Sequence, residues 1–255
     1  MTNWLALVIG NTHWHWAWFR NDELQRVWHL PHRQASLDLS SLKHPLPAEL
    51  LTLLLDCVEV WAISVVPKQA EYLATYPSLR WIQKIPLKGI YSTIGLDRVV
   101  SLCGAGQHYG WPVLVIDGGT ALTFTAGAEN SFKGGAILLG VRSHLKALHH
   151  HTAVLPNVSL PNTLPIRWAG DTPEAIQSGV LYPLLAGIQD FILSWQHQYA
   201  DTNILFTGGD GQYLCQLYKQ YLEQQNQVLN NRTWFDQNLM FWGIADYRSE
   251  ATRAL

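Results

Sequence analysis

Charge is scarce in this chain. Lys and Arg number 17 and Asp and Glu 19, together 14% of 255 residues, against the roughly 25% usual for soluble proteins. The formal net charge of −2 gives no general attraction to nucleic acid or to an anionic membrane, and neither is expected as a partner. Disorder is excluded as well, because 48% of the residues are hydrophobic and disorder needs low hydrophobicity with high net charge. Cysteine is equally sparse. Cys57, Cys103 and Cys215 are odd in number and far apart, which rules out a disulfide framework and a CxxC metal knuckle. Reduced, mostly buried thiols in a cytoplasmic protein are the expectation. No stretch approaches the roughly 20 apolar residues that cross a bilayer. The run Trp4–Ile9 has no basic segment before it and is too short for a secretory signal. GxSxG, HExxH, GxxxxGK[ST] and GxGxxG patterns are also missing, so nothing points to a serine hydrolase, a zinc peptidase, a P-loop enzyme or a dinucleotide fold.

Tryptophan, by contrast, is abundant: there are twelve, with Trp4, Trp14, Trp16, Trp18 and Trp28 near the start. Trp14, Trp16 and Trp18 alternate with His15 and Ala17, the period of a strand. One aromatic sheet face, covered by a helix or a second subunit, follows. A ligand-stacking platform is the less favoured alternative, since large aromatics concentrate in cores and interfaces generally.

The pattern predicts strands at Leu5–Ile9, His13–Phe19, Gln25–His29, Val58–Val66, Leu79–Ile85, Val113–Ile116, Leu122–Ala126, Gly135–Leu138 and Ile204–Phe206. Helices are expected over Ala48–Leu55, from Pro67 to about Thr75, over Asp97–His108 and Arg142–His150, from Thr172 to about Tyr199, and over Gln212–Gln224. Pro31 to Pro47 reads as loop-rich. Thr172 can cap its helix, with Pro173 in the first position and Glu174 on the N-terminal dipole. A strand ending in Gly10-Asn11-Thr12 and followed by a hairpin is echoed about a hundred residues later at Gly119-Thr120. Two halves built alike, residues 1–110 and 111–255 with a cleft between them, are therefore expected.

Such glycine turns bring backbone N–H groups and a hydroxyl to one point, an arrangement that can cradle phosphate oxygens. A carboxylate just before the glycine, as at Asp117, can hold a cation beside them. Thr207-Gly208-Gly209-Asp210-Gly211 is a third glycine turn, leading into a helix whose N-terminus can attract an anion. At Gly95-Leu96-Asp97-Arg98, Asp97 can act as a general base and Arg98 as a clamp for an anion. Local pattern alone favours an aspartate on a helix dipole and a surface arginine. His149, His150 and His151 point about 100° apart on a helix and cannot converge on one ion. His13 and His15 share a strand face without an evident carboxylate or cysteine partner, so no zinc site is expected.

In order, Ile9-Gly10-Asn11-Thr12, Gly95-Leu96-Asp97-Arg98, Asp117-Gly118-Gly119-Thr120-Ala121-Leu122-Thr123, Gly134-Gly135-Ala136-Ile137, Thr172 to Gly179 and Thr207 to Gly211 resemble the type III pantothenate kinase family over nearly the whole chain. The resemblance implies an α/β protein with the acetate and sugar kinase/heat-shock chaperone/actin-like fold, two ribonuclease H-like halves, usually dimeric. It implies ATP-dependent phosphorylation of the pantothenate hydroxyl, the opening step of coenzyme A synthesis. Asp97 would be the proton acceptor, with Gly95, Leu96, Asp97, Arg98, Thr172 and Tyr91 on pantothenate. ATP would meet Val8, Ile9, Gly10, Asn11, Thr12, His13, Trp14, His15 and Thr120. Mg²⁺ would accompany the phosphates, and Asp117 would hold a monovalent cation, K⁺ or NH₄⁺.

The chain departs from the family pattern at named positions. Val8 stands where the family carries the aspartate of Asp-Ile-Gly-Asn-Thr, which removes a carboxylate expected near Mg²⁺. Leu139 stands at a family proline and Thr125 at a common acidic position. The family tyrosine commonly lies further ahead of GxDR than Tyr91 does. Val8 therefore favours a second reading, a catalytically impaired nucleotide- or metabolite-sensing regulator of the same fold. Asp97, Arg98, Asp117 and Thr172 favour the enzyme over this regulator. Another small-molecule kinase of this fold is a third reading, less well matched by the Thr172 block.

Overall fold

A computed structural model describes residues 2–32 and 46–253. It divides into two compact units: Met1–Leu87 with Tyr91–Gly104 and Met240–Leu255, and Lys88–Ile90 with Ala105–Leu239. The expected loop from Pro31 to Pro47 falls mostly outside the described residues.

The first unit is built on a five-stranded sheet, β1 (Asn3–Ile9), β2 (His13–Arg20), β3 (Glu23–Pro31), β4 (Glu59–Ser64) and β5 (Leu79–Trp81), in the order β3-β2-β1-β4-β5. β1, β2 and β3 pair antiparallel through tight turns, and β4 and β5 add in parallel after crossovers. Period-2 alternation sorts the side chains. Leu5, Leu7, Ile9, Trp14, Trp16, Trp18 and Trp28 share one cluster with Leu50, Leu53 and Leu54 of helix α1 (Ala48–Leu55). A helix of the same chain thus covers the aromatic face. Trp16 is fully buried with its indole N–H unpaired. That costs about 1–3 kcal/mol, less than the gain from burying an indole of roughly 200 Å² at about 25 cal/mol per Å², so hydrophobic burial decides the position.

The other face is covered at one end by helix α7 (Leu239–Arg253). Trp4 stacks on Phe19 with ring centroids 4.2 Å apart, Trp242 meets Phe19 edge-on, and Tyr247 meets Trp61. Arg248 lies over the Trp4 ring and pairs with Glu59 and Asp22. Gly243 packs on helix α3 (Leu96–Tyr109) so closely that a Cβ there would fall on the Val100 carbonyl. Gly243→Ala should therefore lower unfolding stability by about 1–3 kcal/mol, seen as a drop in the urea midpoint.

The second unit repeats the plan with β6 (Val113–Gly118), β7 (Ala121–Ala128), β8 (Ser131–Leu139), β9 (Asn203–Thr207) and β10 (Thr233–Phe235). Read from β8, the order β8-β7-β6-β9-β10 matches that of the first sheet, with the same three antiparallel and two parallel strands. Helices α4 (Val141–His151), α5 (Thr172–Gln198) and α6 (Gly211–Glu223) supply its core.

Several expectations need correction. The helix beginning at Pro67 stops at Glu71 as α2, because the N–H groups of Leu73, Ala74 and Tyr76 turn to carbonyls three residues back. β5 is only three residues long. Asp171 caps α5, its Oδ1 accepting the Glu174 N–H at 2.8 Å, so Thr172 is the first helical residue and not the cap. Cys57 is exposed and the other two thiols are half-buried. Helix α5 is long and apolar enough by length and composition to span a membrane, which the sequence reading missed. Its Leu181, Leu185 and Ile188 are buried in the second unit's core.

Candidate active site

In the first unit, β1 and β2 are joined through Gly10, whose N–H donates to the His13 carbonyl at 3.0 Å. Asn11, Thr12 and His13 are exposed, whereas Val8, Ile9 and Trp14 are core. The Trp14 indole N–H donates to Gln69 at 2.8 Å. Side chains 8, 9 and 14 thus face the interior, and the turn presents backbone groups with the Thr12 hydroxyl and histidine rings. Opposite Val8 in the ladder stands His15, and opposite His15 stands His29, their Nδ1 atoms 2.7 Å apart. His32 Nε2 lies 2.8 Å from the Gly10 carbonyl. Sequence reasoning missed His29 and His32, although the β2–β3 register could have found His29.

Burial, then His29, His13 and His32 in turn, push the pKa of His15 from an ordinary 6.5 down to about 4. The folded state therefore holds fewer protons than the unfolded chain between those values, and stability is lost as pH falls from 6.5 towards 4. His15→Gln should reduce this acid loss by on the order of 1–3 kcal/mol, read from urea unfolding at pH 4.5 and 7.

Gly95 to Arg98 open helix α3. Asp97 Oδ1 accepts the Arg98 backbone N–H at 2.8 Å. A Cβ on Gly95 would fall on that same oxygen, so glycine at 95 is what leaves room for the carboxylate. Burial raises the Asp97 pKa, opposed by the Arg98 N–H and the Arg98 charge. Arg98 is buried, not a surface residue, and its Nη1 donates to the Tyr91 hydroxyl at 3.3 Å. The same Cβ position on Gly95 lies 3.9 Å from Val65 Cγ1, and the Val65 N–H donates to the Ile9 carbonyl at 3.0 Å. Gly95, and with it the start of α3, thus packs on Val65, which is itself hydrogen-bonded to the end of β1. Val65 gave no sequence signal, since its role is carried by its backbone.

In the second unit, Asp117 is the penultimate residue of β6, ahead of the Gly119-Thr120 turn. Gly208 has φ +84° and approaches until a Cβ would fall on Asp117 Oδ1 and lie 2.6 Å from the Gly118 carbonyl oxygen. The Asp210 N–H donates to that carbonyl at 2.8 Å. Asp210, 6% exposed, takes Arg142 Nε on its Oδ1 at 2.8 Å, and Ser143 donates to the Thr120 carbonyl. This close approach of turn to turn joins Asp117 and Gly118 to Gly208, and carbonyl and carboxylate oxygens of this kind suit a hard cation. Thr172 lines a cleft of about 580 Å³ with Leu148, Leu155, Asp171 and Ile176, whose lining includes neither Asp117 nor Thr120.

The family model for type III pantothenate kinase matches residues 4–194. A type III pantothenate kinase from Synechococcus sp. (strain JA-2-3B'a(2-13)) is 42% identical over 214 residues, 83% of this chain and 78% of that protein. Among solved structures, a putative Baf family transcriptional activator from Campylobacter jejuni aligns with TM-score 0.65 at 21% identity, covering 98% of this chain and 99% of its own. A putative 2-dehydro-3-deoxygalactonokinase from Sinorhizobium meliloti aligns at 0.59 and 14%, covering 98% of each. At those identities the structures speak for the fold alone, that of the acetate and sugar kinases and actin. With matching sheet orders, glycine turns at equivalent strand ends, and a family match over most of its length, the chain belongs to the type III pantothenate kinase family.

Proposed function

We propose that the protein transfers the γ-phosphoryl group of ATP to the primary hydroxyl of pantothenate, giving 4'-phosphopantothenate for coenzyme A synthesis. The observation that carries this reading is the preformed arrangement at Gly95–Arg98. There a half-buried carboxylate of raised basicity sits beside a buried arginine, at a helix start that packs on Val65, the residue hydrogen-bonded to the end of β1. Phosphoryl transfer asks mainly for alignment and charge neutralisation, because the protein need form no covalent bond. Asp97 accepts the hydroxyl proton as the new P–O bond forms. Arg98 and Tyr91 hold pantothenate through its carboxylate or hydroxyl groups, and Thr172 is assigned to the same substrate. The Gly10–Thr12 backbone receives nucleotide phosphates, and Thr120 meets ATP.

Mg²⁺ would draw charge from the phosphates as they transfer. Among the described residues no group of three or more His, Cys, Asp or Glu side chains is arranged to hold a metal, so such an ion would rest chiefly on phosphate and water oxygens. Asp117 with the neighbouring carbonyls is assigned to K⁺ or NH₄⁺. A cytoplasmic homodimer is proposed as well. Exposed apolar side chains of the second unit, Ile137, Val154, Ile166 and Trp168, the last 89% exposed, are the groups such a dimer would cover.

The test is ADP release from Mg·ATP with and without pantothenate, in K⁺ and in Na⁺. Pantothenate-dependent ADP, faster in K⁺, is expected. None from folded protein under any cation would overturn the kinase reading.

A further inference from the structure

We propose that His13, His15, His29 and His32 form a proton-linked anion receptor around the Gly10 turn, taking up a proton when a nucleotide phosphate docks there. This rests on the reading above, in which the first turn holds phosphates, and adds to it the groups that answer the phosphate charge. Across the sheet the row reads Ile63, Val8, His15, His29. β1 and β4 thus contribute two side chains that cannot titrate, β2 contributes His13 and His15, and β3 contributes His29, with His32 just beyond. Among the described residues, the charges acting on His15 are those of the other three histidines.

The hydrogen bonding sets the capacity of this cluster. A neutral imidazole has one N–H, so at 2.7 Å between Nδ1 atoms one ring donates and the other accepts. The donating ring then keeps a bare Nε2. When that ring is His15, its Nε2 is the atom 3.5 Å from the Cβ position of Gly10. A proton added there makes an imidazolium and leaves the bond to His29 intact. A second proton on the pair would set two N–H groups against each other. The pair therefore takes one proton, beside the turn. His32 donates through Nε2 to the Gly10 carbonyl at 2.8 Å. His13 bonds the Thr12 hydroxyl through Nδ1 at 3.1 Å, which leaves its Nε2 for solvent or ligand.

Without an anion, burial and then repulsion from the other histidines keep His15 neutral near pH 7. A phosphate at the turn supplies the opposite charge that no carboxylate in the row provides, so proton and anion bind each other's form of the protein more tightly. Linkage makes this reciprocal: affinity gains up to about tenfold for each pH unit over which one full proton is taken up.

The experiment is calorimetry of Mg·ADP binding at pH 6 and pH 8 in buffers of different ionisation enthalpy, on the parent, His15→Gln and His29→Gln. The exposed His29 position keeps the test usable if the half-buried His15 variant fails to fold. Expected for the parent at pH 6 is uptake of about half a proton or more beyond the nucleotide's own titration, with ADP bound about 3–10-fold tighter than at pH 8. His15→Gln should lose most of the uptake, its affinities at the two pH values agreeing within about twofold, whereas His29→Gln, which removes a repelling ring and leaves an oxygen to accept the His15 N–H, should take up its proton at a higher pH than the parent. ADP binding by the parent with the same proton count as His15→Gln, or with a pH dependence that His29→Gln leaves unmoved, overturns the receptor and leaves the nucleotide site standing. Folded parent that binds no ADP at either pH overturns both.

Discussion

Asp97→Asn lowers kcat by about 10²–10⁴-fold and leaves the protein at least as stable at neutral pH. The two halves of that expectation have one cause. Asparagine keeps the shape and an oxygen to accept the Arg98 N–H, so the start of α3 is preserved. It cannot take a proton. Because burial raises the Asp97 pKa, the folded state holds this proton more tightly than the unfolded chain does. Keeping the carboxylate ionised at pH 7 therefore opposes folding, an opposition relieved as pH falls. The variant has no such charge to bury. Steady-state ADP release and a thermal midpoint measured together test the argument, and loss of activity with a clear loss of stability would instead make Asp97 a structural cap. The same raised pKa sets the pH profile. The acid limb of kcat/KM in the parent should lie above the ordinary aspartate range, since Asp97 must be ionised to act.

Gly208→Ala should damage both the fold and the activity of the second unit. Its φ of +84° lies where an L side chain is strained, and the new Cβ would press on Asp117 Oδ1 and the Gly118 carbonyl. Strain of about 1–3 kcal/mol is expected. Turnover should fall about 10²-fold, as when a binding group is displaced by about 1 Å, and the advantage of K⁺ over Na⁺ should disappear with it. Gly209 has no neighbour within 4 Å of its Cβ position, so Gly209→Ala should change stability by less than about 0.5 kcal/mol. Equal destabilisation by the two substitutions would mean that the turn is sensitive as a whole, and not through Asp117.

Much of the architecture was legible because its signals are local. The alternation of Trp14, Trp16 and Trp18 gave both the strand and its buried face. The repeated strand-glycine-hairpin pattern gave two halves built alike, and the structure adds that their sheets share one strand order. GxDR gave the start of α3, although the pattern alone favoured a surface arginine and Arg98 is buried. What escaped depends on distant pairing. His29 and His32 join His15 only once β2 and β3 are in register. Val65 acts through a backbone bond to Ile9 that leaves no trace in its side chain. Past Gln224 the pattern yields no element: β10 is three residues long, and α7 carries aromatic residues all round because it packs on several neighbours, which blurs the helical period. At the start of α5 the sequence reading takes Thr172 as the cap, because Asp171 and Thr172 are both good caps and only the backbone geometry shows that Asp171 holds the position.

The return of α7 to the first unit also sets an order of completion during synthesis. The second unit is finished once Leu239 has been made. The unit begun first still lacks the helix that covers Trp4 and Phe19, and gains it only when Met240 to Arg253 have left the ribosome. At about 5–20 residues per second, that indole-rich surface stays bare through most of translation, so the N-terminal half is the part a nascent-chain chaperone would have to shield, and the last to become protease-resistant.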